Sequence, residues 1–407
     1  FSTYRAGFEI RTCRLCQRVL MFHHFPEEPD VGADCLVRST DLTYHYEEKP
    51  TDPRNPIHAI LTSVTQCGYT RQGNGYLKRS LPPVDFEYSS PEFGDTVRDL
   101  DPDSLENLPY GLDGSVYQWI DLDGEGLSGV LTEQGGAWLY KRNEAPLTRT
   151  VKDGKARSTA RFGPVEILPS RPSGGLAGGR QLLDLAGDGQ LDLVELSPPL
   201  AGFYERTDDW DWQPFQPFAH SANIDWQDPN LKLVDLTGDG HADVLITEDQ
   251  ALSWYRSLAE AGFGAGERRP ATMDEERGPR VVFADGTETL FLADLSGDGL
   301  TDIARIRNGE VCYWPNLGYG RFGAKVTMDD APWFDAPDQF DPRRIRLADI
   351  DGSGVTDIIY LGRRETQVWL NQSGNAWSAP HTLAGFPPVD NIAIDEEGTV
   401  TLVRLIG

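Results

Sequence analysis

A nine-residue acidic loop recurs five times in this sequence of 407 residues, and this repeat restricts the possible folds more than any other feature. Each loop begins with Asp and has Gly at its fourth and sixth positions. The loops start 51 to 63 residues apart, at Asp121, Asp184, Asp235, Asp294 and Asp349. An apolar run of strand length precedes each loop and another follows it. Each loop is therefore predicted to join two β-strands.

An aromatic residue follows the first Asp of each loop at a spacing of 19 or 20 residues: Tyr140, Phe203, Trp254, Tyr313 and Trp369. A turn and a further strand come next, often opened by Phe-Gly, so one repeat contains about four short strands. Four strands in a repeat of this length are typical of a β-propeller blade. An open β-solenoid or a sandwich is the alternative.

A sixth, shortened copy of the loop lies at residues 394–398 and is followed by an apolar stretch. We therefore predict an all-β fold with about six four-stranded propeller blades over residues 113–407, the last blade being incomplete at Gly407. Residues 1–90 contain longer strand-like runs and a Gly-Asn-Gly hairpin signal at Gly73, and are predicted to be the end of a second β domain. Residues 91–112 are acidic and predicted to be a linker.

The five loops are candidate calcium sites. They resemble the first nine positions of an EF-hand loop, where carboxylates supply oxygen ligands and glycines allow the tight turn. The candidate ligands are Asp121, Asp123 and Glu125 in the first loop, Asp184, Asp188 and Asp192 in the second, Asp235, Asp239 and Asp243 in the third, Asp294, Asp298 and Asp302 in the fourth, and Asp349, Asp351 and Asp357 in the fifth. The first loop is the weaker candidate because Gly129 replaces the final Asp. Alternatively, the Asp side chains accept hydrogen bonds from the N–H groups of their own turns.

One segment outside the repeat pattern is a candidate partner-binding loop. Residues 328–342 read MDDAPWFDAPDQFDP, so the aromatic residues Trp333, Phe334 and Phe340 are interleaved with five Asp and three Pro. Large aromatic side chains are the anchors that dominate protein interfaces. The alternative is that the loop is tucked onto a blade and its aromatic rings seal the core.

Composition and motifs argue against several functions. The net charge of −27 disfavours nucleic acid and anionic membrane surfaces as partners. No apolar run approaches the roughly 18 residues of a membrane-spanning helix. Among enzyme motifs, GxSxG, HExxH and the P-loop are all missing from the sequence, so we expect a protein without catalytic activity. The chain starts at Phe1, without a signal-peptide pattern, and is expected to be a piece of a longer protein.

The cysteines leave three possibilities open. Cys13 and Cys16 form a CxxC pair, and Cys35 and Cys67 follow at spacings that match no zinc-ribbon or zinc-finger template. A zinc site, a disulfide and inert buried thiols are all compatible with this spacing, and inert thiols are favoured.

Several longer stretches resemble one known family. They are YRAGFE at 4–9, RVLMFHHF at 18–25, LPP at 81–83 before FEY at 86–88, GLDGSVYQW at 111–119, YWPNLGYGRF at 313–322 and WFDAPDQFD at 333–341. In these stretches the chain resembles the B component of the bacterial Tc insecticidal toxin complexes. The family is SpvB/TcdB-like and carries VCBS or FG-GAP repeats.

The resemblance implies a function. In this family the propeller docks on the pore-forming A component and gates translocation of an effector, which a later Rhs-type β shell of the same long polypeptide encloses. The A component and an Rhs-type C component are the partners that the resemblance implies. The chain is accordingly expected to be made in the cytoplasm and to act outside the cell as a non-enzymatic toxin module. The alternatives are a Ca²⁺-dependent, integrin-like surface adhesin or lectin and, less favoured, a propeller enzyme.

Overall fold

The computed structural model describes residues 2–29, 31–48, 59–88, 100–108, 117–152, 155–173, 175–176, 180–197, 199–207, 210–287 and 289–383. Within these ranges the chain is almost entirely β, so the all-β prediction is confirmed. The helical elements are single turns: α-helices at His45–Glu48 and Pro102–Leu105, and 3₁₀ turns at Ala145–Thr148, Ala259–Ala261 and Pro342–Arg344. None of the described helices is long and apolar enough to cross a membrane.

The N-terminal part forms one antiparallel sheet of five strands, which we call the N-terminal sheet. Its strands are Arg18–Phe25, Gly32–Tyr44, Leu61–Gln72, Gly75–Ser80 and Val84–Asp85, the last pairing with the third. The predicted hairpin is confirmed: Gln72 pairs with Gly75, and Gly73 has the positive φ of +58° that such a turn needs. Every residue of Arg18–Phe25 is exposed.

The strand-like runs predicted within residues 1–90 include the stretch from residue 8 to residue 25, which is not one strand. Ile10–Arg11 pairs with Ser2–Thr3 in a separate two-stranded sheet, and the long strand begins only at Arg18. The reason is a competing contact, because Tyr4 is buried against the repeat region rather than extended along the N-terminal sheet. We call residues 2–11 the N-terminal strap.

Each of the five acidic loops belongs to its own four-stranded antiparallel sheet, and these are numbered sheets 1 to 5 in chain order. Their strands are Tyr117–Ile120, Gly129–Gln134, Ala137–Asn143 and Phe162–Ile167 in sheet 1; Arg180–Leu183, Asp192–Glu195, Gly202–Tyr204 and Gln216–Pro217 in sheet 2; Leu231–Val234, Asp243–Glu248, Ala251–Tyr255 and Glu267–Pro270 in sheet 3; Leu290–Ala293, Asp302–Arg307, Glu310–Trp314 and Val326–Thr327 in sheet 4; and Ile345–Ala348, Asp357–Leu361, Thr366–Trp369 and His381–Leu383 in sheet 5.

Two small hairpins are inserted between the third and fourth strands of these sheets. Thr150–Lys152 pairs with Lys155–Arg157 in the first repeat, and Asn371–Gln372 pairs with Ala376–Trp377 in the fifth, each as a separate two-stranded sheet. The prediction of four strands per repeat, with the acidic loop joining the first two, is confirmed for all five repeats. The shortened sixth copy at residues 394–398 lies outside the described residues.

The core lies between consecutive sheets. Each of four hydrophobic clusters takes its side chains from two neighbouring sheets, in the order 1–2, 2–3, 3–4 and 4–5. One sheet can contribute to two clusters because successive side chains along a strand point to opposite faces of the sheet. Tyr313 therefore packs toward sheet 5, whereas its neighbour Trp314 packs toward sheet 3. The repeated aromatic residues of the third strands are all buried: Tyr140, Phe203, Trp254, Tyr313 and Trp369.

Part of the predicted linker packs on sheet 1. Residues 100–108 are the portion of the linker that the structure describes, and Ser104 within it is fully buried. The Ser104 hydroxyl accepts a 2.9 Å hydrogen bond from the N–H of Phe162, and the Lys141 ammonium donates to the carbonyl of Glu106 at 2.8 Å. This acidic segment is thus fixed to the first repeat at that point.

Candidate functional site: the acidic turns and the 328–342 loop

The first Asp of each loop caps its own turn. In the third repeat, Oδ1 of Asp235 accepts hydrogen bonds from the N–H groups of Thr237 at 3.0 Å and Gly238 at 2.7 Å, while Oδ2 accepts one from Gly240 at 2.8 Å. Gly238 and Gly240 have φ values of +75° and +88°, which glycine adopts without steric cost. These turns therefore contain the Asx-type hydrogen bonds that the sequence offered as the alternative to calcium.

The ninth residue of the loop has a different role, which the sequence reading did not separate from metal binding. Asp243 is fully buried, and its two oxygens accept hydrogen bonds from Leu236 N at 3.1 Å and Ser257 N at 2.7 Å. The carboxylate therefore fastens the start of the turn to Ser257, two residues past the end of the third strand. Asp192, Asp302 and Asp357 bond in the same way to backbone N–H groups seven residues before and 14 residues after themselves.

Burial changes the proton affinity of these ninth-position carboxylates. Loss of hydration raises the pKa of Asp192 and of Asp243 to about 6 and that of Asp357 to about 7, although the backbone hydrogen bonds oppose the shift. The pKa of Asp302, the most deeply buried of the four, is raised well above its ordinary value for the same reason.

In the first loop, the hydroxyl group of a tyrosine from the third strand takes the place of this carboxylate. Gly129 stands at the ninth position, and a Cβ placed on it would lie 2.5 Å from the hydroxyl oxygen of Tyr140. That hydroxyl accepts a 3.4 Å hydrogen bond from Leu122 N and donates to the carbonyl of Ile120. Asp123 is paired with Arg142 at 3.2 Å. Burial nevertheless raises the pKa of Asp123, with the Arg142 charge acting against the shift.

The fifth loop brings three candidate carboxylates together. One oxygen from each of Asp349, Asp351 and Asp357 lies within 4.8 Å of the others, and this is the only such group of three among the described residues. Oxygen ligands of this kind suit Ca²⁺, although Ca²⁺ usually takes six to eight of them. The hydroxyl of Ser353, in the same turn, is buried and has no hydrogen-bond partner among the described residues, so it is a further candidate oxygen ligand. The fifth loop fits a cation best.

The fifth-position carboxylates of the second, third and fourth loops have protein partners instead. Asp188 caps the N–H of Gln190 at 2.9 Å, Asp239 pairs with Arg256 at 3.2 Å, and Asp298 accepts the N–H of Tyr4 at 2.6 Å. In these loops the three predicted ligands are not gathered as they are in the fifth. Whether any of the five loops binds calcium stays a prediction.

The cysteines are all unpaired, so the disulfide alternative is not formed among these five described residues. Cys13 and Cys16 are exposed in a segment without strand structure, whereas Cys35, Cys67 and Cys312 are buried. None of the five belongs to a group of three close metal ligands in the described part of the chain.

The 328–342 loop divides its three aromatic residues between the two predicted environments. Phe334 is buried, with its ring centroid 5.6 Å from that of Phe340 and 5.1 Å from that of Tyr360. Phe340 is partly buried against the same cluster. Trp333 is 69% exposed, and its ring covers Gly309, where an added Cβ would lie 2.8 Å from the indole. Phe334 and Phe340 thus have the core position, and of the three only Trp333 is exposed; its role in partner binding stays a prediction.

Trp333 borders an open groove of about 570 Å³. It is lined by residues 330–333 and 377–380 together with Gln367 and Trp369. Among the lining residues Pro332, Trp369 and Trp377 are buried, whereas Trp333 is exposed. We call this the Trp333 groove.

The fold and the turns define a class: an all-β repeat protein with FG-GAP-like acidic turns. Residues 235–304 match the family model of the FG-GAP-like repeat, and residues 1–25 match that of SpvB, the Salmonella virulence plasmid 65kDa B protein. Among curated proteins, the mono(ADP-ribosyl)transferase SpvB of Salmonella typhimurium and that of Salmonella dublin are each 47% identical over 77 residues. That match covers 19% of this chain and 11% of the relative.

Solved structures extend the similarity over the whole chain. A chain of the Photorhabdus luminescens Tc holotoxin pore is 29% identical with a TM-score of 0.74, covering 97% of this chain and 17% of its own length. A chain of the TcdB2–TccC3 crystal structure is 28% identical with a TM-score of 0.55, covering 100% of this chain and 18% of its own length. In sequence and fold the chain is therefore SpvB/TcdB-like, similar to the B component of Tc toxins, and the recognition made from its motifs is confirmed.

Proposed function

We propose that this chain is a non-enzymatic module of a Tc toxin B component, which docks on the pore-forming A component and gates passage of an effector. The observation that carries the proposal is the match to a chain of a Tc holotoxin pore over 97% of the present sequence at a TM-score of 0.74. That match covers 17% of the holotoxin chain, so the proposal concerns one module of a larger assembly. By the same similarity, the Rhs-type C component is the second partner, and the site of action is extracellular.

The module is proposed to be a propeller of about six blades. The five described sheets each bury one face against the next, as neighbouring blades do, and the chain continues beyond the fifth sheet into the shortened repeat at 394–398. A ring of blades leaves a central channel, which is the geometry that gating requires.

The non-enzymatic part of the proposal is supported by how the buried acids are used. Each ninth-position carboxylate accepts hydrogen bonds from two backbone N–H groups, as Asp243 does from Leu236 and Ser257. A carboxylate with both oxygens engaged by the backbone has a structural explanation for its burial and its raised pKa, so the shift does not indicate a catalytic acid.

The test is binding of the whole B–C complex to a purified A-component pentamer, measured by biolayer interferometry. We expect saturable binding that weakens as salt is raised, because the module carries a strong negative charge. A glycan array probed with the same complex is the counter-test. Glycan binding together with no A-component binding would replace the docking function with that of an adhesin or lectin.

A further inference from the structure

We propose that Cys13 and Cys16 form a redox site, in which a low-molecular-weight disulfide outside the cell oxidises the two thiols to an intrachain disulfide. The bond restrains residues 12–17, which connect the N-terminal strap to the N-terminal sheet and are called the tether. This inference rests on the proposed extracellular site of action and adds a covalent control of the strap. Three observations carry it: selective exposure, a tether without strand pairing, and a local positive charge.

The first observation is selective exposure. Cys13 and Cys16 are exposed, as are the two residues between them, whereas the other cysteines of the chain are buried: Cys35, Cys67 and Cys312. An exposed thiol meets a soluble oxidant directly, and a buried thiol does so only after local unfolding. All five cysteines lie in the described ranges and are free, so the structure shows the reduced state of the pair.

The second observation is the backbone of the tether. No strand or helix is formed by residues 12–17, while the chain is held on both sides of them. Arg11 pairs with Ser2 in the strap, and the carbonyl of Cys16 accepts a 2.7 Å hydrogen bond from the Tyr44 hydroxyl. The tether therefore runs between two fixed ends, with Cys16 at the end of the sheet and Cys13 near the strap.

Chain geometry permits the bond. Two residues three positions apart have their Cα atoms about 10 Å apart when the chain is extended, whereas a disulfide requires about 4.4–6.8 Å. A turn at Arg14 and Leu15 therefore has to form. Because the tether is not part of a β-ladder, that turn breaks no strand pairing. In a paired strand the two side chains would point to opposite faces and the same spacing would oppose the bond.

The third observation is the local charge. Residues 10–26 contain three arginines and no Asp or Glu, although the chain as a whole has a net charge of −27. Two of these arginines are in ion pairs, with Glu9 and with Asp41, whereas the exposed Arg14 has no ion-pair partner among the described residues. A free cation between the two cysteines attracts an anionic oxidant such as glutathione disulfide, which the acidic remainder of the chain repels.

The reaction is a thiol–disulfide exchange in two steps. One protein thiolate attacks a sulfur of glutathione disulfide, forms a mixed disulfide and releases one glutathione thiolate. The other protein thiolate attacks the protein sulfur of that mixed disulfide, closes the Cys13–Cys16 bond and releases the second glutathione thiolate. The two protons lost by the protein thiols are taken up by the two glutathione thiolates. Because the cytosol keeps thiols reduced, the bond forms after release from the cell.

The bond shortens the tether. It holds Cys13 beside Cys16, which leaves Thr12 as the one free residue between the strap and the cross-link. A shorter tether reduces the entropy that the strap gains when it leaves Asp298, since the freedom of a loop falls with its length. The strap is therefore held more firmly at the fourth repeat in the oxidised protein than in the reduced protein.

The experiment incubates the full-length protein that carries this chain with millimolar glutathione disulfide, alkylates the remaining free thiols with iodoacetamide in urea, and digests with the protease Glu-C. The peptide 10–27 contains Cys13 and Cys16 and no other cysteine. Mass spectrometry should find this peptide unalkylated and two hydrogens lighter than its dithiol form. Because the two thiols have a high effective concentration, this form should exceed the glutathione adducts at least about tenfold.

Dithiothreitol should return the peptide to the dithiol form, and the peptide that contains the buried Cys67 should be alkylated without prior oxidation to a disulfide. A fully alkylated peptide 10–27, or one that carries two glutathione groups, overturns the proposal.

Cys13→Ser and Cys16→Ser are the matched variants. Each keeps one exposed thiol and should give a glutathione adduct on peptide 10–27 in place of the internal disulfide. Both substitutions change exposed side chains, so folding is expected to be retained and is checked by the melting temperature. If the remaining thiol instead pairs with another cysteine of the chain, the pairing assigned to Cys13 and Cys16 is wrong.

Hydrogen exchange of the strap tests the consequence of the bond. The amide of Tyr4, which donates to Asp298, should exchange at least about twofold more slowly in the oxidised protein than in the reduced protein. Cys16→Ser should show no difference between oxidising and reducing buffer. Equal exchange of the unaltered protein in both buffers overturns the role of the bond in the tether. These measurements contain no A component, so their failure rejects the redox site, while A-component docking is decided separately by the interferometry.

Discussion

The backbone N–H of Tyr4 donates a 2.6 Å hydrogen bond to Oδ2 of Asp298, a residue 294 positions further along the chain. The adjacent Arg5 donates through Nε to the carbonyl of Asp298 and through Nη2 to that of Gly299 at 3.4 Å. The N-terminal strap is thereby fastened to the acidic turn of the fourth repeat. The contact also gives Asp298 a protein donor in the place where a cation was predicted.

We predict that Asp298→Ala destabilises the chain more than Asp188→Ala does. The two residues occupy the same position in their loops, and each caps an N–H two residues on, but only Asp298 also receives the strap. The loss at Asp298 should be about 1–3 kcal/mol, as for a hydrogen bond to a charged group, and clearly smaller at Asp188. Urea unfolding followed by fluorescence measures both. Equal losses would mean that the strap adds nothing to stability.

The ninth-position carboxylate gives a second prediction. In Asp243→Asn the side chain has a single oxygen for two N–H donors, so one of Leu236 N and Ser257 N then faces an NH₂ group. We expect the free energy of unfolding to fall by about 1–3 kcal/mol. Asp239→Asn, which alters an exposed ion pair with Arg256, should cost less than about 1 kcal/mol and serves as the control. A larger effect at Asp239 would contradict this assignment of roles.

Neighbouring residues of the 328–342 loop should behave oppositely. Phe334→Ala removes a buried ring that packs on Phe340, Tyr360 and Trp369, and we expect a loss of about 3–5 kcal/mol in unfolding free energy. Trp333→Ala should change it by about 0.5 kcal/mol or less, because the side chain is 69% exposed. Thermal melting distinguishes the two. A large loss for Trp333→Ala would show that this ring, too, serves the core.

A pH prediction follows from Glu275. Hydrogen bonds from Arg305, aided by Lys325, lower the pKa of this carboxyl group to about 2 from its ordinary 4.5, although burial opposes the shift. A carboxylate with a lowered folded-state pKa stabilises the fold above the unfolded-state pKa. Its contribution is therefore full above about pH 5 and is lost as pH falls from 4.5 toward 2.

The variant Glu275→Gln tests this linkage. Its melting temperature should lie below that of the unaltered chain at pH 7, and the difference should shrink at pH 3 and close near pH 2. The effect is expected to be modest because the Glu275 side chain is 41% exposed. A difference that is constant between pH 7 and pH 2 would show that the ion pair with Arg305 and Lys325 is not its source.

Calcium is predicted to stabilise the folded chain and not to serve a catalytic reaction. If the fifth loop binds Ca²⁺, millimolar Ca²⁺ raises the melting temperature relative to EDTA, because a ligand of the folded state stabilises it by mass action. Asp351→Asn should abolish the rise, and Asp188→Asn, in a loop without gathered carboxylates, should retain it. An unchanged melting temperature across EDTA and Ca²⁺ would leave the acids with their hydrogen bonds and ion pairs to the protein as their only roles.

Much of the fold could be predicted from the sequence because its signals are local. A Gly at the fourth and sixth loop positions fixes a turn, and an apolar run on either side fixes two strands. The aromatic residue of the third strand, such as Trp254, is placed by the two-residue alternation that also defines which side chains share a face. All of these features depend on residues within one repeat, so they are readable without knowledge of neighbouring repeats.

The carboxylates were harder to assign. The sequence shows three acids per loop but not whether they face one another or a backbone N–H group. Asp357 does both. It accepts hydrogen bonds from Ile350 N and Asn371 N, and it also lies beside Asp349 and Asp351. The residues 14 positions after the ninth-position Asp differ in type and bond through their backbone N–H groups, so no residue pattern in the sequence marked this structural role: Arg206, Ser257, Asn316 and Asn371.

By itself the sequence determined an all-β chain of repeated four-stranded units, joined by glycine-containing acidic turns and related to the Tc toxin B components. The tertiary structure decided that the N-terminal strap is fastened to Asp298 and that Phe334 is buried while Trp333 is exposed. The physical reason is that local residue patterns define strands and turns, whereas the surface that covers a given side chain comes from a repeat or a strand far away in the sequence. Only packing brings these partners together.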